Sequence, residues 1–227
     1  HDNFFSDLGG DSILSIQIIA RANQAGLHLI PKQIFEHQTI AELALVAGTG
    51  TVIQAEQGFV TGQLPLTPIQ QWFFDQKFTD QHHWNQSVLF EVREALDPAL
   101  LEQVVHALIG HHDALRLRFK RTSDGWLQQI VDMDMANQAE HFRLIDLSDV
   151  PEADRSGAIE RCANEIQTSF DLAEGPIIRI AYFDLGNGHA GRLLIAVHHL
   201  AIDGVSWRIL LEDLQLCYRQ LSSGQPI

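Results

Sequence analysis

The chain of 227 residues has little cysteine: only Cys162 and Cys217. They lack metal-ligand spacing and fall far below the density of a disulfide-stapled secreted domain, so a reducing, cytoplasmic setting is expected. Long apolar runs are also missing. Stretches such as RLLIAV fall well short of the about 20 residues needed to cross a bilayer, and no signal-peptide pattern opens the chain. Positive charge is scarce, with 15 Lys+Arg against 29 Asp+Glu and a formal net charge of −14. That argues against nucleic acid or an anionic membrane as partner. No internal repeat is visible. No initiator Met is present either: the chain starts at His1 in what reads as a loop, so a piece of a longer polypeptide is expected.

What is present is an ordinary globular composition, 45% hydrophobic, too apolar for a disordered chain. Two textures follow one another. Up to residue 48 the sequence reads as helical, without a strand candidate. A helix is predicted over 12–25, with Ile13, Ile16, Ile19 and Ala20 near helical spacing and Gly26 as its stop. PKQIFEH reads as a short turn opened by Pro31. A further helix begins after Thr39, with Glu42 at capping-box spacing and Gly48 at its end. Residues 49–63, rich in Gly, Thr and Gln, read as a linker.

From residue 64 onward strands and helices interleave. Thr67-Pro68 and Asp97-Pro98 are N-cap and first-turn signals. SVLFEV alternates Val88, Phe90 and Val92 on one buried face. ALRLRFKRTSDGWLQQIV reads as a hairpin turning at Asp124-Gly125, and HFRLIDL as a strand. Residues 152–169 read as a helix. PIIRIAYFDLGNGHAGRLLIAVHH reads as two strands about a glycine-rich turn, and residues 205–221 as a last helix. The second region is therefore expected to be a mixed α/β layer fold.

Two short stretches carry chemistry. In DNFFSDLGGDSILSIQIIARA, Ser12 follows Gly9, Gly10 and Asp11 at the start of an apolar helix. Asp and Ser before such a run are common caps. The glycines, however, clear side chains from around the hydroxyl, and a helix N-terminus favours an attached phosphate. In HHLAIDGVSW, His198, His199, Asp203 and Gly204 follow an apolar strand. A His at a strand end can serve as a general base near neutral pH. Adjacent histidines on a strand point to opposite faces, which makes a shared metal awkward. The pairs His82-His83 and His111-His112 show that doubled histidines also occur here without such a context.

The first stretch, with its Leu-Gly-Gly-Asp-Ser core and the later IPKQIFEHQTIAELA, resembles the phosphopantetheine attachment site of peptidyl carrier domains in nonribosomal peptide synthetases. That resemblance implies 4′-phosphopantetheine on Ser12, with Asp11 and Gly10 beside it, and a carrier over 1–48 lacking its first helix. HHLAIDG resembles the His-His-x-x-x-Asp-Gly motif of the condensation-domain superfamily, where the second His is catalytic. It implies a catalytic set of His199, His198 and Asp203. HHDALRLRF resembles another motif of that superfamily, with Arg116 in its arginine position. PIQQWFF, DGVSWRILLEDL and the Asp11 variant of the carrier motif resemble the epimerization subtype.

The implied architecture is a truncated helical carrier, a linker, and over 64–227 the N-terminal lobe of an epimerization domain, a chloramphenicol-acetyltransferase-like mixed α/β lobe. The implied activity is inversion of an aminoacyl or peptidyl thioester from L to D, within a synthetase with an adenylation domain upstream and a condensation domain downstream. A phosphopantetheinyl transferase is the implied modifying partner. Asp203 and Gly204 are given structural roles, Asp203 by pairing with Arg116. No Glu-Gly-His-Gly-Arg-type string of the second lobe occurs, so this stretch alone is not expected to complete an inversion. The alternatives are a condensation or dual condensation/epimerization domain, and a carrier or docking module without catalysis.

Overall fold

The computed structural model describes residues 2–48, 58–186 and 189–227. It contains two compact units, His1–Gly58 and Phe59–Ile227. The expected linker falls largely on 49–57, outside the described residues. Its last part is not a linker: Gly62–Leu64 forms strand β1 and pairs antiparallel with a later strand. Backbone bonds to that strand hold this segment, although its side chains carry no apolar signal.

The first unit holds helices α1 (Ser12–Gln24), α2 (Pro31–Glu36) and α3 (Ile40–Val46). The segment read as a turn is thus a helix. Pro31 opens it, the Gln33 side chain accepts from the Ile30 N–H at 2.8 Å, and Gln33 also donates to the Val46 carbonyl at the end of α3 at 2.9 Å. Thr39 caps α3 as its spacing with Glu42 predicts. The core gathers Ile19, Leu29, Ile34 and Leu43 against Phe4, Ile18 and Ala22. The stripe expected on α1 is rotated: Ile13 and Ile16 are exposed while Ser15 is buried. SILSIQIIARA is apolar on nearly every side, so its periodicity cannot choose a face, and contact with α2 and α3 does.

In the second unit β1 is followed by α4 (Pro68–Asp75), β2 (Asn85–Glu91) and α5 (Pro98–His111). A 3-10 turn at Asp113–Arg116 leads into the hairpin β3 (Leu117–Thr122) and β4 (Gly125–Ile130). Thr122 pairs with Gly125, so the turn centres on Ser123-Asp124, one residue earlier than expected. Next come α6 (Met133–Ala136), β5 (Phe142–Asp146), α7 (Glu152–Thr168), β6 (Ile178–Asp184), β7 (Arg192–His198) and α8 (Gly204–Ser222).

One sheet has the order β1-β4-β3, the other β2-β7-β6-β5. In the larger sheet β5 runs parallel to β6, and the other pairings are antiparallel. Alternation divides β7 between two cores. Leu193, Ile195 and Val197 face α5 and α8, together with Ile178, Ile180 and Tyr182 of β6. Leu194, Ala181 and Phe183 face α7. The result is a helix–sheet–helix layering. A third cluster packs Phe73 and Phe74 of α4 on the smaller sheet, with Phe74 stacked on Trp126 at 4.0 Å.

Arg116 joins these parts and is not paired with Asp203. Its side chain is wholly buried. The guanidinium donates to the carbonyls of Ile109 and Gly110 (both 2.8 Å), Val131 (3.1 Å) and Val60 (3.1 Å), and to Asp113 Oδ1 at 2.6 Å. The ring of Phe59 lies 5.2 Å away. The expected partner was wrong because Asp113, three residues upstream in the same tight turn, is the local carboxylate, whereas Asp203 is committed to α8. The planar fork satisfies the carbonyls at the end of α5 that no helical N–H can reach.

Removing this fork leaves a half-buried carboxylate and four carbonyls short of donors. Arg116→Ala is expected to cost roughly 3–5 kcal/mol, read as a lowered urea midpoint. All four tryptophans, Trp72, Trp84, Trp126 and Trp207, lie in the second unit, so their fluorescence reports it selectively. An unchanged midpoint overturns the assignment.

Candidate functional site

At the start of α1, Asp11 is the N-cap. Its Oδ1 accepts from the Leu14 N–H at 2.8 Å. Ser12 is the first helical residue and is exposed. Its hydroxyl has no hydrogen-bond partner among the described residues. Gly10 is required by a close approach: its N–H donates to the Phe4 carbonyl at 2.7 Å, and a Cβ there would collide with that oxygen. Gly10 and Asp11 therefore shape the turn that presents Ser12. The Ser12 and Ile13 N–H groups have no acceptor among the described residues, which suits an attached phosphodiester.

The histidines at the end of β7 sit in opposite environments. His198 is fully buried, its ring edge-on to Phe73 at 5.7 Å. Its Nε2 lies 2.9 Å from the Gln81 carbonyl, and its Nδ1 accepts from the Leu200 N–H at 3.2 Å. A carbonyl only accepts and an N–H only donates, so the proton is on Nε2. Burial, ahead of the other influences, pushes its pKa down from 6.5 to about 4. His198, expected in the catalytic set, is thus a neutral core group with both nitrogens engaged, because strand alternation turns it away from the open side.

His199 is exposed and lines a cleft of about 530 Å³ with Trp72, Phe73, Trp84, Ile202 and Asp203. Its backbone N–H donates to the Trp84 carbonyl at 2.8 Å, extending the β2–β7 pairing. Its Nδ1 is 2.7 Å from the Ile202 carbonyl, and its Nε2 is 3.1 Å from Gln86 Nε2. Gln86 Oε1 in turn accepts from Trp207 Nε1 at 2.6 Å. Sequence reasoning missed Gln86 and Trp207. Gln86 carried a signal: it continues the buried phase of Val88, Phe90 and Val92 as a polar residue.

Asp203 lies on the same cleft but is the N-cap of α8. Its Oδ1 accepts from the N–H groups of Val205 (3.1 Å) and Ser206 (2.8 Å) and from the Ser206 hydroxyl (2.7 Å). The bonds from Ser206, first the backbone one, lower its pKa. A Cβ at Gly204 would meet nothing within 4 Å, so packing does not demand glycine there, contrary to the structural role expected. The group His111, His112 and Asp213 could bring one ligand atom each within 4.8 Å of one another, and His112 Nε2 lies 2.9 Å from Asp213 Oδ2.

The first unit thus presents an exposed serine at a glycine-cleared helix start, and the second an exposed histidine on a cleft in a layered α/β lobe. The Condensation domain family matches residues 60–227, and the Phosphopantetheine attachment site family matches residues 1–46. The chain belongs to the condensation-domain family and carries a phosphopantetheine attachment domain; it is part of a nonribosomal peptide synthetase.

Among its relatives, a linear gramicidin synthase of Brevibacillus parabrevis is 55% identical over all 227 residues. Surfactin synthase subunit 1 of Bacillus subtilis (strain 168) is 44% identical over 228 aligned positions. The chain spans only 4% of the first and 6% of the second. The crystal structure of the epimerization domain from the third module of tyrocidine synthetase B is 39% identical with a TM-score of 0.68. The match covers 75% of this chain and 38% of that one. The starter condensation domain of rhizomide synthetase shares the fold, with a TM-score of 0.61 at 21% identity over 73% of this chain and 39% of that one.

Two outcomes follow. His198 keeps its folded pKa near 4 and His141, also buried, is likewise pushed down to about 4. Both bind a proton more readily when unfolded. Stability is therefore full above the ordinary imidazole value of 6.5 and is lost as pH falls towards 4, by up to roughly 3 kcal/mol per histidine. Melting curves from pH 7.5 to 4 check this, and His198→Gln is expected to flatten the dependence. Separately, an exposed cap is worth less than a buried ion pair, so Asp203→Ala is expected to cost only about 0.5–2 kcal/mol by urea titration. A loss well beyond that range means that the carboxylate does more than cap α8.

Proposed function

We propose that the synthetase containing this chain inverts the α-carbon of an aminoacyl or peptidyl thioester, with the acyl group carried on 4′-phosphopantetheine at Ser12. His199 is one of the two acid/base groups. The observation that carries this reading is the geometry of His199: its ring lines the cleft, with Nδ1 anchored on the Ile202 carbonyl at 2.7 Å and Nε2 held 3.1 Å from the Gln86 amide. The greater identity to an epimerization domain, 39% against 21% for a condensation domain of the same fold, supports inversion over peptide-bond formation.

The prosthetic arm supplies a thioester, which acidifies the adjacent C–H. His199 Nε2 takes that proton while the C–H electron pair passes into the thioester carbonyl. The rings of Trp72, Phe73 and Trp84 give the cleft an apolar wall for the acyl group. Asp203 is not the opposing donor, because its carboxylate is taken up by the start of α8. That donor is assigned to the second lobe of the family. By this reading an adenylation domain upstream loads the carrier, a phosphopantetheinyl transferase modifies it in the cytoplasm, and a condensation domain downstream takes the D product.

Ser12→Ala is expected to abolish the mass gain on treatment with a phosphopantetheinyl transferase and coenzyme A. In the full synthetase, His199→Ala is expected to keep loading on Ser12 but cut D-product formation by ~10² or more. Chiral chromatography of the hydrolysed thioester decides. Unchanged D product in His199→Ala sinks the catalytic assignment, and L-peptide bond formation in its place favours a condensation domain.

A further inference from the structure

The indole of Trp207 carries an N–H and no acceptor. The Gln86 atom 2.6 Å from it is therefore the amide oxygen. That turns the Gln86 NH₂ towards His199 Nε2, 3.1 Å away. An NH₂ group only donates, so His199 Nε2 holds a lone pair and the ring proton sits on Nδ1. The other side of the ring gives the same answer independently: Nδ1 lies 2.7 Å from the Ile202 carbonyl, which only accepts. Two unrelated fixed partners, a donor-only indole and an acceptor-only carbonyl, thus select one tautomer of one ring.

We infer that Gln86 and Trp207 are positioning residues that hold the ring proton of His199 on Nδ1 and its lone pair on Nε2, ready to receive a proton from a carbon acid. This rests on the reading of His199 as an acid/base group. Once Nε2 is protonated it becomes a donor facing the NH₂ of Gln86. Turning the amide over relieves that contact, but sets the NH₂ against the indole N–H of Trp207. In either orientation the imidazolium leaves one donor–donor contact, and the neutral ring leaves none. The line from α8 through β2 to the end of β7 therefore fixes which nitrogen of His199 receives the proton. In the step itself the Cα–H bond breaks, an N–H bond forms at Nε2 in place of the Gln86 contact, and the electron pair moves into the thioester carbonyl. Return of the proton reverses it.

All three side chains lie on the sheet face that packs α5 and α8. Gln86 pairs with Val197 across the strands, and His199 follows Val197 by two, so alternation gives them one face. The indole of Trp207 reaches them from the first turns of α8. The titratable groups acting on this region are Asp203, at the start of α8, and His198, the chain neighbour. Both are unchanged in the variants below, so differences report the amide and the indole.

The test is ¹⁵N nuclear magnetic resonance of the chain labelled at histidine nitrogen, with His199→Ala identifying the His199 signals. The wild-type ring is expected to show Nδ1 protonated and Nε2 unprotonated. Trp207→Phe frees the amide to turn over and is expected to mix the tautomers. Gln86→Glu offers a carboxylate to Nε2–H and is expected to move the proton there. In the full synthetase both variants are expected to lower kcat by about tenfold with little change in KM.

A wild-type ring protonated on Nε2, or a tautomer identical in wild type and both variants, overturns the inference. Should Trp207→Phe fold poorly, Gln86→Glu and the wild-type spectrum still decide it. If His199→Ala retains D-product formation, the catalytic use of the line falls with the proposed function, and the spectrum separately decides whether the line exists.

Discussion

The site depends on the two-residue alternation at the end of β7. One strand delivers two adjacent histidines, and the pleat sends them to opposite faces. His198 enters the apolar layer against Phe73, where burial and two committed nitrogens hold it neutral. His199 emerges beside the cleft. Their tautomers are opposite as well, with the proton on Nε2 in one and on Nδ1 in the other, because each ring meets a different carbonyl. A register slip of one residue would exchange the two roles. The antiparallel pairing of β7 with β2 over its full length, and with β6 over 192–197, makes such a slip costly, since Leu193, Ile195 and Val197 would leave the α5–α8 core together.

Two buried arginines stiffen this lobe. Arg116 spends its donors on four carbonyls and Asp113, tying the end of α5 to the hairpin and to residues 59–60. Arg118 bonds the Glu174 and Leu117 carbonyls at 3.0 and 2.9 Å. Gly175 allows this, since a Cβ there would overlap the guanidinium. Neither arginine reaches the cleft. Their effect on chemistry is indirect: they fix the smaller sheet, and α4 packed on it, whose Trp72 and Phe73 form one wall of the cleft.

Much of this was legible in the sequence where local rules and tertiary packing agree. Thr67-Pro68, Asp97-Pro98 and Thr39 with Glu42 marked helix starts because capping is decided within four residues. Val88-Phe90-Val92 marked a strand because one of its faces is buried. The readings failed where the deciding partner lies elsewhere. β1 exists only because β4 offers bonds to Gly62–Leu64, and α1 buries Ser15 because of its neighbours. The Asp203–Arg116 pairing failed because opposite charge says nothing of which carboxylate is local. Within the site, the exposure of Ser12 and His199 agrees with the sequence reading, and Asp203 is committed to capping α8. Gln86 was overlooked although a polar residue in phase with a buried strand face must meet a partner. Its partners, an indole on α8 and a ring beyond β7, are 121 and 113 residues away in sequence, out of reach of any local pattern.

The starts of α1 and α8 use the same cap and reach different ends. Asp11 and Asp203 both precede their helices in extended backbone. Asp203 takes two backbone N–H groups and the Ser206 hydroxyl, so the start of α8 has spent most of its donors. Asp11 takes only the N–H of Leu14. The next residue after Asp203 is Gly204, with no side chain; after Asp11 it is Ser12, whose hydroxyl is exposed. The first turn of α1 therefore keeps unspent N–H groups next to a nucleophilic oxygen, where the helix dipole favours an anion. The first turn of α8 has the Val205 and Ser206 N–H groups and the Ser206 hydroxyl committed to Asp203, and serves instead as a fixed post from which Trp207 reaches Gln86. One capping residue type thus leaves one helix start open to a phosphate and closes the other, and the difference lies in how many donors each carboxylate captures.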